Sequence, residues 1–522
     1  MNRIALTAAS VLAFARPAVM SAQTPLAIPD RYSFYLVTGT DTIFTERVWR
    51  TANELHGEFL DNRRGARLQY LATLNADASI RTVAAHTYRT PSDTGEIATF
   101  EVDSTQVVAE LGNGQRARMP GAPGLMPVIN PSTAFIEQIM LHLKAMHAAA
   151  RMTVPILLVG QSQPTTATIT LSGDSAVIEY ANVAMHLALS ADGHVMGGSV
   201  PAQRLSILRG PAGAPLVATR KDYSAPPGAP YTAEDVIVTS SAGLHFSGTL
   251  TLPSPRHGRV PAVVTITGSG SEDRDEQSPV LSAYRPFRQI ADTLGRRGIA
   301  VLRLDDRGMG ESDLGPRTVT SADMADDIRG AIAYLRARPE IDTMRIALLG
   351  HSEGGVIAPM IAETDKQIRA IVLMAATASP GRAILSSQQH YVVDTVAKLT
   401  GSRRDAALAQ YARNTDSVAA ALPWMKWFLE HDPSEVARHV STPVLILQGQ
   451  ADHQVPSPEA AKLAAAFRAG GNRHVTVRLF PETNHLFVTD TLGGFSYEKL
   501  PSLSVRKDVL GTIADWLSAT LR

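Results

Sequence analysis

Ser352 stands in Gly350-His351-Ser352-Glu353-Gly354, a G-x-S-x-G pattern set directly between the apolar run RIALLG and the segment GGVIAPMIAE. A serine mounted on so tight a strand-to-helix turn is held at a strained backbone angle, and the glycines are needed because the flanking chain packs close to it. The backbone N–H of Glu353, at the start of the helix, points toward charge developing on a bound carbonyl. The plain alternative is a tight turn with no chemistry. A serine hydroxyl is a poor nucleophile without a base, and the base needs an orienting acid. In a strand–turn–helix setting of this kind the acid follows the serine in chain order and the histidine follows the acid. Asp452 fits the first role, on the loop after the apolar run PVLILQG, although a surface loop acid is the bland reading of it. His485 fits the second, in the loop after HVTVRLF. His474 opens that same run and so falls at its wrong end, and His453 adjoins the acid too closely to present itself independently.

A second oxyanion donor is expected from the loop TGSGSEDRDE, whose small residues let the backbone approach a substrate. The N–H of Ser269, or failing that of Gly270, is the candidate; a flexible turn is the alternative. Arg274 and Asp275 are expected to brace this loop by pairing. Asp306 and Arg307, in LDDRGMGES, are expected to tie loops beneath the site. Trp424, Trp427 and Phe428 recur at helical spacing in PWMKWFLEHDP. They read either as core packing or as the wall of an acyl pocket.

The elements that must position these residues alternate in type from about residue 230 onward. PAVVTITGSG, IAVLRLDDRG, RIALLG, IRAIVLMAA and TPVLILQG read as nearly continuous apolar strands. YRPFRQIADTLGRRG and TSADMADDIRGAIAYLRARP between them read as helices, the second opened by a Thr320-x-x-Asp323 capping box. That rhythm predicts an α/β domain over 230–522, a mostly parallel sheet covered on both faces. DVIVTSSAGLHFSGTLTLP, ahead of it, reads as a hairpin. The stretch from about 377 to 441 is too long for an ordinary connection and is helical in character, which predicts an inserted helical cap. Ligands in such sheets bind beyond the carboxyl ends of the strands, where Ser352, Asp452 and His485 all fall.

Residues 24–222 read instead as a mostly antiparallel β domain, a sheet or a partly closed barrel, with alternation in RYSFYLVTG, ARLQYLATL and TATITLSG. NPSTAFIEQIMLHLKAMHAAAR is its one clear helix, with Ser132 or Thr133 as cap. This part carries no catalytic constellation. The Pro/Gly-rich segment from 209 to 235 marks the boundary. At the N-terminus, Arg3 followed by apolar Ile4 to Ala15 and small residues near Ala22 reads as a signal peptide over 1–23, and hence as secretion or a periplasmic location. No later segment is apolar for long enough to cross a bilayer as a helix.

The totals narrow the chemistry further. Lys+Arg and Asp+Glu both number 49, for a formal net charge of zero, which argues against a broad electrostatic footprint for nucleic acid. The 522 residues contain no cysteine, so disulfides, thiolate metal sites and cysteine nucleophiles are excluded. There is no HExxH pair, and His142 and His147 lie five apart, poorly placed to share a helical face. No metal or organic cofactor is implied.

From about 230 to 520 the chain resembles the α/β-hydrolases, more narrowly the bacterial serine esterases often labelled dienelactone-hydrolase-like or serine-aminopeptidase-like. GSGSEDRDE, GIAVLRLDDRGMGES, GHSEGG, PWMKWFLEHDP, PVLILQGQADHQVP and NHLF carry that resemblance, in that order. One departure is GSGS where GSGP is expected. True dienelactone hydrolases use a cysteine, which this chain lacks, so that label is not read as chemistry. The resemblance implies hydrolysis of a small-molecule carboxylic ester through Ser352, Asp452 and His485. Two rivals stand beside it. A serine peptidase would need an acid such as Glu272 or Glu353 to hold a substrate amine. A non-catalytic binding protein on a hydrolase scaffold would leave the β domain as the working part.

Overall fold

The computed structural model describes residues 30–522 apart from 39–40, 63–64, 89–95, 104, 112–115, 160–162, 181–182, 204, 212–220, 257, 278–282, 317, 496 and 498–499. The signal peptide expected over 1–23 lies outside the described residues.

Between Asp30 and Pro211 the described chain forms a single sheet of fifteen strands. Neighbours along the chain pair antiparallel, except that Arg116–Pro120 and Met126–Val128 form the two edges and Met126–Val128 runs parallel to its partner Arg151–Leu158; the first strand (Asp30–Thr38) pairs with the last (Leu205–Pro211) in the middle of the sheet. The helix Thr133–Ala145 is capped by Ser132, whose Oγ accepts the Phe135 N–H at 3.3 Å. It is buried around most of its circumference, Glu137, Gln138 and His142 included. Its polar side chains are matched by the surrounding strands. Glu137 accepts from Tyr32, Arg50 and Arg209 side chains and from the Val195 N–H. Glu46 accepts the Thr133 and Ala134 N–H groups at the helix start. A helix buried on so many sides needs partners for each polar group, and the sheet provides them from both of its halves.

The hairpin expected ahead of the α/β rhythm is β1 (Tyr231–Thr239) and β2 (His245–Pro253). The strands that follow are β3 (Val260–Ile266), β4 (Ala300–Leu304), β5 (Ile341–His351), β6 (Ala370–Met374), β7 (Val444–Gly449) and β8 (Val475–Phe480). They lie in the order β1-β2-β4-β3-β5-β6-β7-β8, parallel from β4 onward, with β1 and β2 antiparallel. The central strands are buried along their length because helices cover both faces. Ser321–Ala337 and Gly354–Thr364 pack into one apolar cluster, and Pro286–Gly295 with Lys507–Thr520 into the other. The capping box forms, with the Thr320 N–H donating to Asp323 at 2.8 Å. Between β6 and β7 the chain leaves the sheet for the helices Gly381–His390, Gly401–Ala421, Pro423–Glu430 and Pro433–Arg438, the cap that loop length implied. The fold is that of an α/β-hydrolase with a mostly β domain ahead of it.

Candidate active site

β5 runs into His351, and the helix begins at Gly354, so Ser352 occupies the turn between them. Its φ is +51°, in the left-handed region that costs a residue with a Cβ about 1–3 kcal/mol. The turn is held by the Ser352 N–H to Met374 O at 2.8 Å. The glycines answer to close packing: a Cβ on Gly350 would overlap Gly354 O, one on Gly354 would overlap Ile266 O, and one on Gly355 would strike Ala376.

Asp452 lies in the loop after β7, and its Oδ2 is 2.9 Å from Nδ1 of His485. Gln448 Nε2 donates to the same oxygen at 2.9 Å, and the N–H groups of Gln454 and Val455 donate to Oδ1 at 2.8 and 2.9 Å. Both residues are buried. Four donors fix the carboxylate, the carboxylate draws the ring proton to Nδ1, and Nε2 is left as the acceptor. His485 and Ser352 line one cavity of about 550 Å³.

Gly268 and Ser269 line the same cavity, and a Cβ on Gly268 would be 3.5 Å from that of Ser352. Gly270 does not; it faces a second cavity of about 200 Å³ behind the loop. Of the two donors considered from sequence, Ser269 lines the cavity with Ser352 and Gly270 does not. Asp306 ties the loop down at both ends, accepting from Thr267 Oγ1 at 2.7 Å and from the Glu272 N–H at 2.8 Å. Arg274 and Asp275 do brace the loop, but each pairs with a residue in β4 or just beyond its end rather than with the other. Arg274 takes Asp305 at 2.6 Å and Asp275 takes Arg303. Arg307 pairs with Asp327 on the helix Ser321–Ala337, at 2.6 Å.

Sequence reasoning assigned no role to His351 or Glu276, which form a second histidine–carboxylate pair. His351 Nδ1 is 2.8 Å from Glu276 Oε1, and its Nε2 is 2.9 Å from the backbone O of His485. Glu276 Oε1 also accepts the Gly268 N–H at 2.9 Å. The pair thus links the oxyanion loop, the serine turn and the histidine loop. Burial disfavours the charged ring, but the Glu276 carboxylate outweighs it and holds the His351 pKa above its ordinary value. The available clue was an acid eight positions beyond Gly268 in a loop already singled out. Glu272 also lines the cavity; burial, then Glu276 and Asp306, push its carboxyl well above the usual range. Glu353 lines it too, accepting from Ser321 Oγ and from Trp424 Nε1 at 2.7 Å. One oxygen each of Glu272, Glu276 and Glu353 is buried with no hydrogen-bond partner among the described residues.

The cap closes the cavity with Ile384, Leu385, Trp424, Met425 and Phe428. Trp424 and Phe428 stack at 5.5 Å between centroids, so both act as wall and as packing. Trp427 is a correction to the pocket expected from sequence: it lies off the cavity and stacks on His431 at 4.1 Å. Trp424 and Phe428, four apart, share the helical face that meets the cavity, whereas Trp427, about 100° round the helix from Phe428, does not line it. No cluster of metal-ligating side chains occurs among the described residues.

Residues 282–491 match a family model described as serine aminopeptidase, S33. Esterase EstD of Thermotoga maritima is 28% identical over 308 residues, spanning 58% of this chain and 71% of that protein. The uncharacterized protein YfhR of Escherichia coli (strain K12) is 26% identical over 239 residues, 45% of this chain and 68% of its own. Among solved structures, that of the Pyrococcus furiosus esterase Pf2001 aligns with a TM-score of 0.41 at 17% identity, covering 58% of this chain and 97% of that one.

Proposed function

The C-terminal domain of this chain being an α/β-hydrolase, we propose that it is a serine esterase whose triad is Ser352, His485 and Asp452. The observation that carries this reading is the Asp452–His485 pair, at 2.9 Å, on the same cavity as a serine held at φ +51°. Ser352, Asp452 and His485 each follow a strand of the sheet, β5, β7 and β8, which supports the reading. In the reaction, Nε2 of His485 takes the proton of Ser352 Oγ as the oxygen attacks the ester carbonyl. The imidazolium so formed is stabilised by Asp452. The tetrahedral oxyanion is received by the N–H groups of Glu353 and Ser269, the first at a helix start and the second on the loop braced by Asp306. His485 then gives its proton to the leaving alcohol, and a water activated by the same ring releases the acid. The apolar cap side chains suit an uncharged acyl group, and the relative named esterase EstD supports the choice of ester over amide.

A second reading, a serine peptidase, is favoured by one observation. Three acidic side chains, Glu272, Glu276 and Glu353, line the cavity, the charge type that would hold a substrate ammonium. A panel of p-nitrophenyl acyl esters run beside aminoacyl-p-nitroanilides separates the two. Turnover confined to the esters supports the esterase and reports the acyl length the cap accepts. Anilide turnover of comparable kcat/KM moves the assignment to a peptidase.

A further inference from the structure

The loop that carries the Ser269 N–H is fastened from inside by Asp306 and Glu276, and from outside by residues that precede the hydrolase domain in the chain. Lys221 reaches from the interdomain segment to Asp273 Oδ2 and Gln277 Oε1, both at 2.6 Å. Tyr223 adds its hydroxyl to Asp273 Oδ2 at 3.3 Å and lays its ring under the Arg274 guanidinium, 4.2 Å from its centroid. The main chain between them is held in turn: Arg288 donates to Asp222 O at 2.7 Å and to Ser224 O at 3.0 Å. Asp273 is the joint. Its Oδ1 accepts the N–H groups of Asp275 and Gln277, at 3.1 and 3.0 Å, and so shapes the turn that delivers Glu276 to His351 and to Gly268. The Asp273 side chain is buried and its Lys221 partner is 29% exposed, so the ion pair is sheltered more than a surface one.

We propose that residues 221–224 are a strap that positions the oxyanion loop, with Lys221 and Asp273 as positioning residues for the reaction at Ser352. The inference rests on the serine-hydrolase reading. It also places the functional start of the hydrolase domain upstream of residue 230, the boundary that composition suggested. The strap acts on the site of the transition-state oxyanion rather than on the cap that holds the substrate. Its loss therefore affects kcat and leaves KM in place.

The test is a double-mutant cycle in the full-length protein with Lys221→Met, Asp273→Asn and the pair, read on a short acyl ester, with Lys221→Arg as the conservative control. Each single change is expected to lower kcat about tenfold or more, with KM within about twofold. The double variant is expected to be no worse than either single, because both remove one contact. Lys221→Arg, which keeps the charge, is expected to recover most of the lost rate. Amide exchange over residues 268–277 gives a readout independent of turnover, and is expected to be faster in Lys221→Met than in wild type. Additive losses, an unchanged kcat in Lys221→Met, or unchanged exchange in that loop would each overturn the strap. An inactive wild type would overturn the esterase reading instead, and the exchange measurement would still decide the strap.

Discussion

Glu272 is buried close to Glu276 and Asp306, and burial with their repulsion raises its carboxyl well above the ordinary pKa. The folded state then holds a proton that the unfolded chain releases at lower pH. Stability must fall as pH rises from the unfolded carboxylate range toward the raised folded value. Glu272→Gln removes that titration and supplies a neutral amide beside two acids. It is expected to raise the unfolding temperature at pH 8 and to change it much less at pH 5. His351 titrates in the same sense. Its raised pKa contributes stability that is complete below about 6.5 and is lost as pH climbs through the folded value. Thermal unfolding across pH 5 to 9, wild type against Glu272→Gln, separates the two. The variant retains a shallower decline, carried by His351 and by the other buried acids of raised pKa, Asp306 and Glu46 among them, and an identical slope in both proteins would contradict the assignment.

At the scale of elements, the cap meets the serine turn through one hydrogen bond, the Trp424 indole N–H to Glu353. Glu353 also supplies the proposed oxyanion N–H, so the bond couples the cap's position to the turn. Trp424→Phe keeps an aromatic wall and loses the donor, at a cost of about 1–2 kcal/mol for a buried carboxylate left with one partner fewer. Its expected effect is a raised KM for long acyl esters with short esters little changed, measured over a chain-length series. A uniform loss across the series would count against the coupling. The sheet, the cap and the places of Ser352, Asp452 and His485 were legible in the sequence because each rests on local rules. Apolar runs of strand length set the sheet, and polar residues just past their ends set the site. Glu276 and His351 were not legible as a pair, since their contact spans 75 residues and depends on how the loop after β3 folds back. Trp427 was misplaced because spacing gives a face of a helix, not which face meets the cavity.

Across the whole molecule the apolar interior divides. One cluster draws only on residues 32–207, and two others only on residues 236–521. The two later clusters both draw on strands of the one eight-stranded sheet, whereas the first shares no strand with them, so the chain is expected to unfold as two cooperative units with two calorimetric transitions. Glu137→Leu removes the buried carboxylate that Arg50 and Arg209 share. It is expected to lower the transition of the β domain by about 3–5 kcal/mol while ester turnover at 25 °C stays unchanged. A single transition, or turnover lost in step with it, would show the domains to be one cooperative unit. The strap at 221–224 is the described segment through which the chain from the β domain reaches the oxyanion loop.

The central claim is that Ser352 forms a covalent acyl-enzyme with His485 as its base, and intact-protein mass after exposure to a fluorophosphonate tests it most directly. One adduct per chain, mapped to the peptide containing Ser352 and absent in both Ser352→Ala and heat-unfolded wild type, is the predicted result; His485→Ala should label at least about a hundredfold more slowly. An unmodified native protein, or an adduct that persists in Ser352→Ala, would contradict the account.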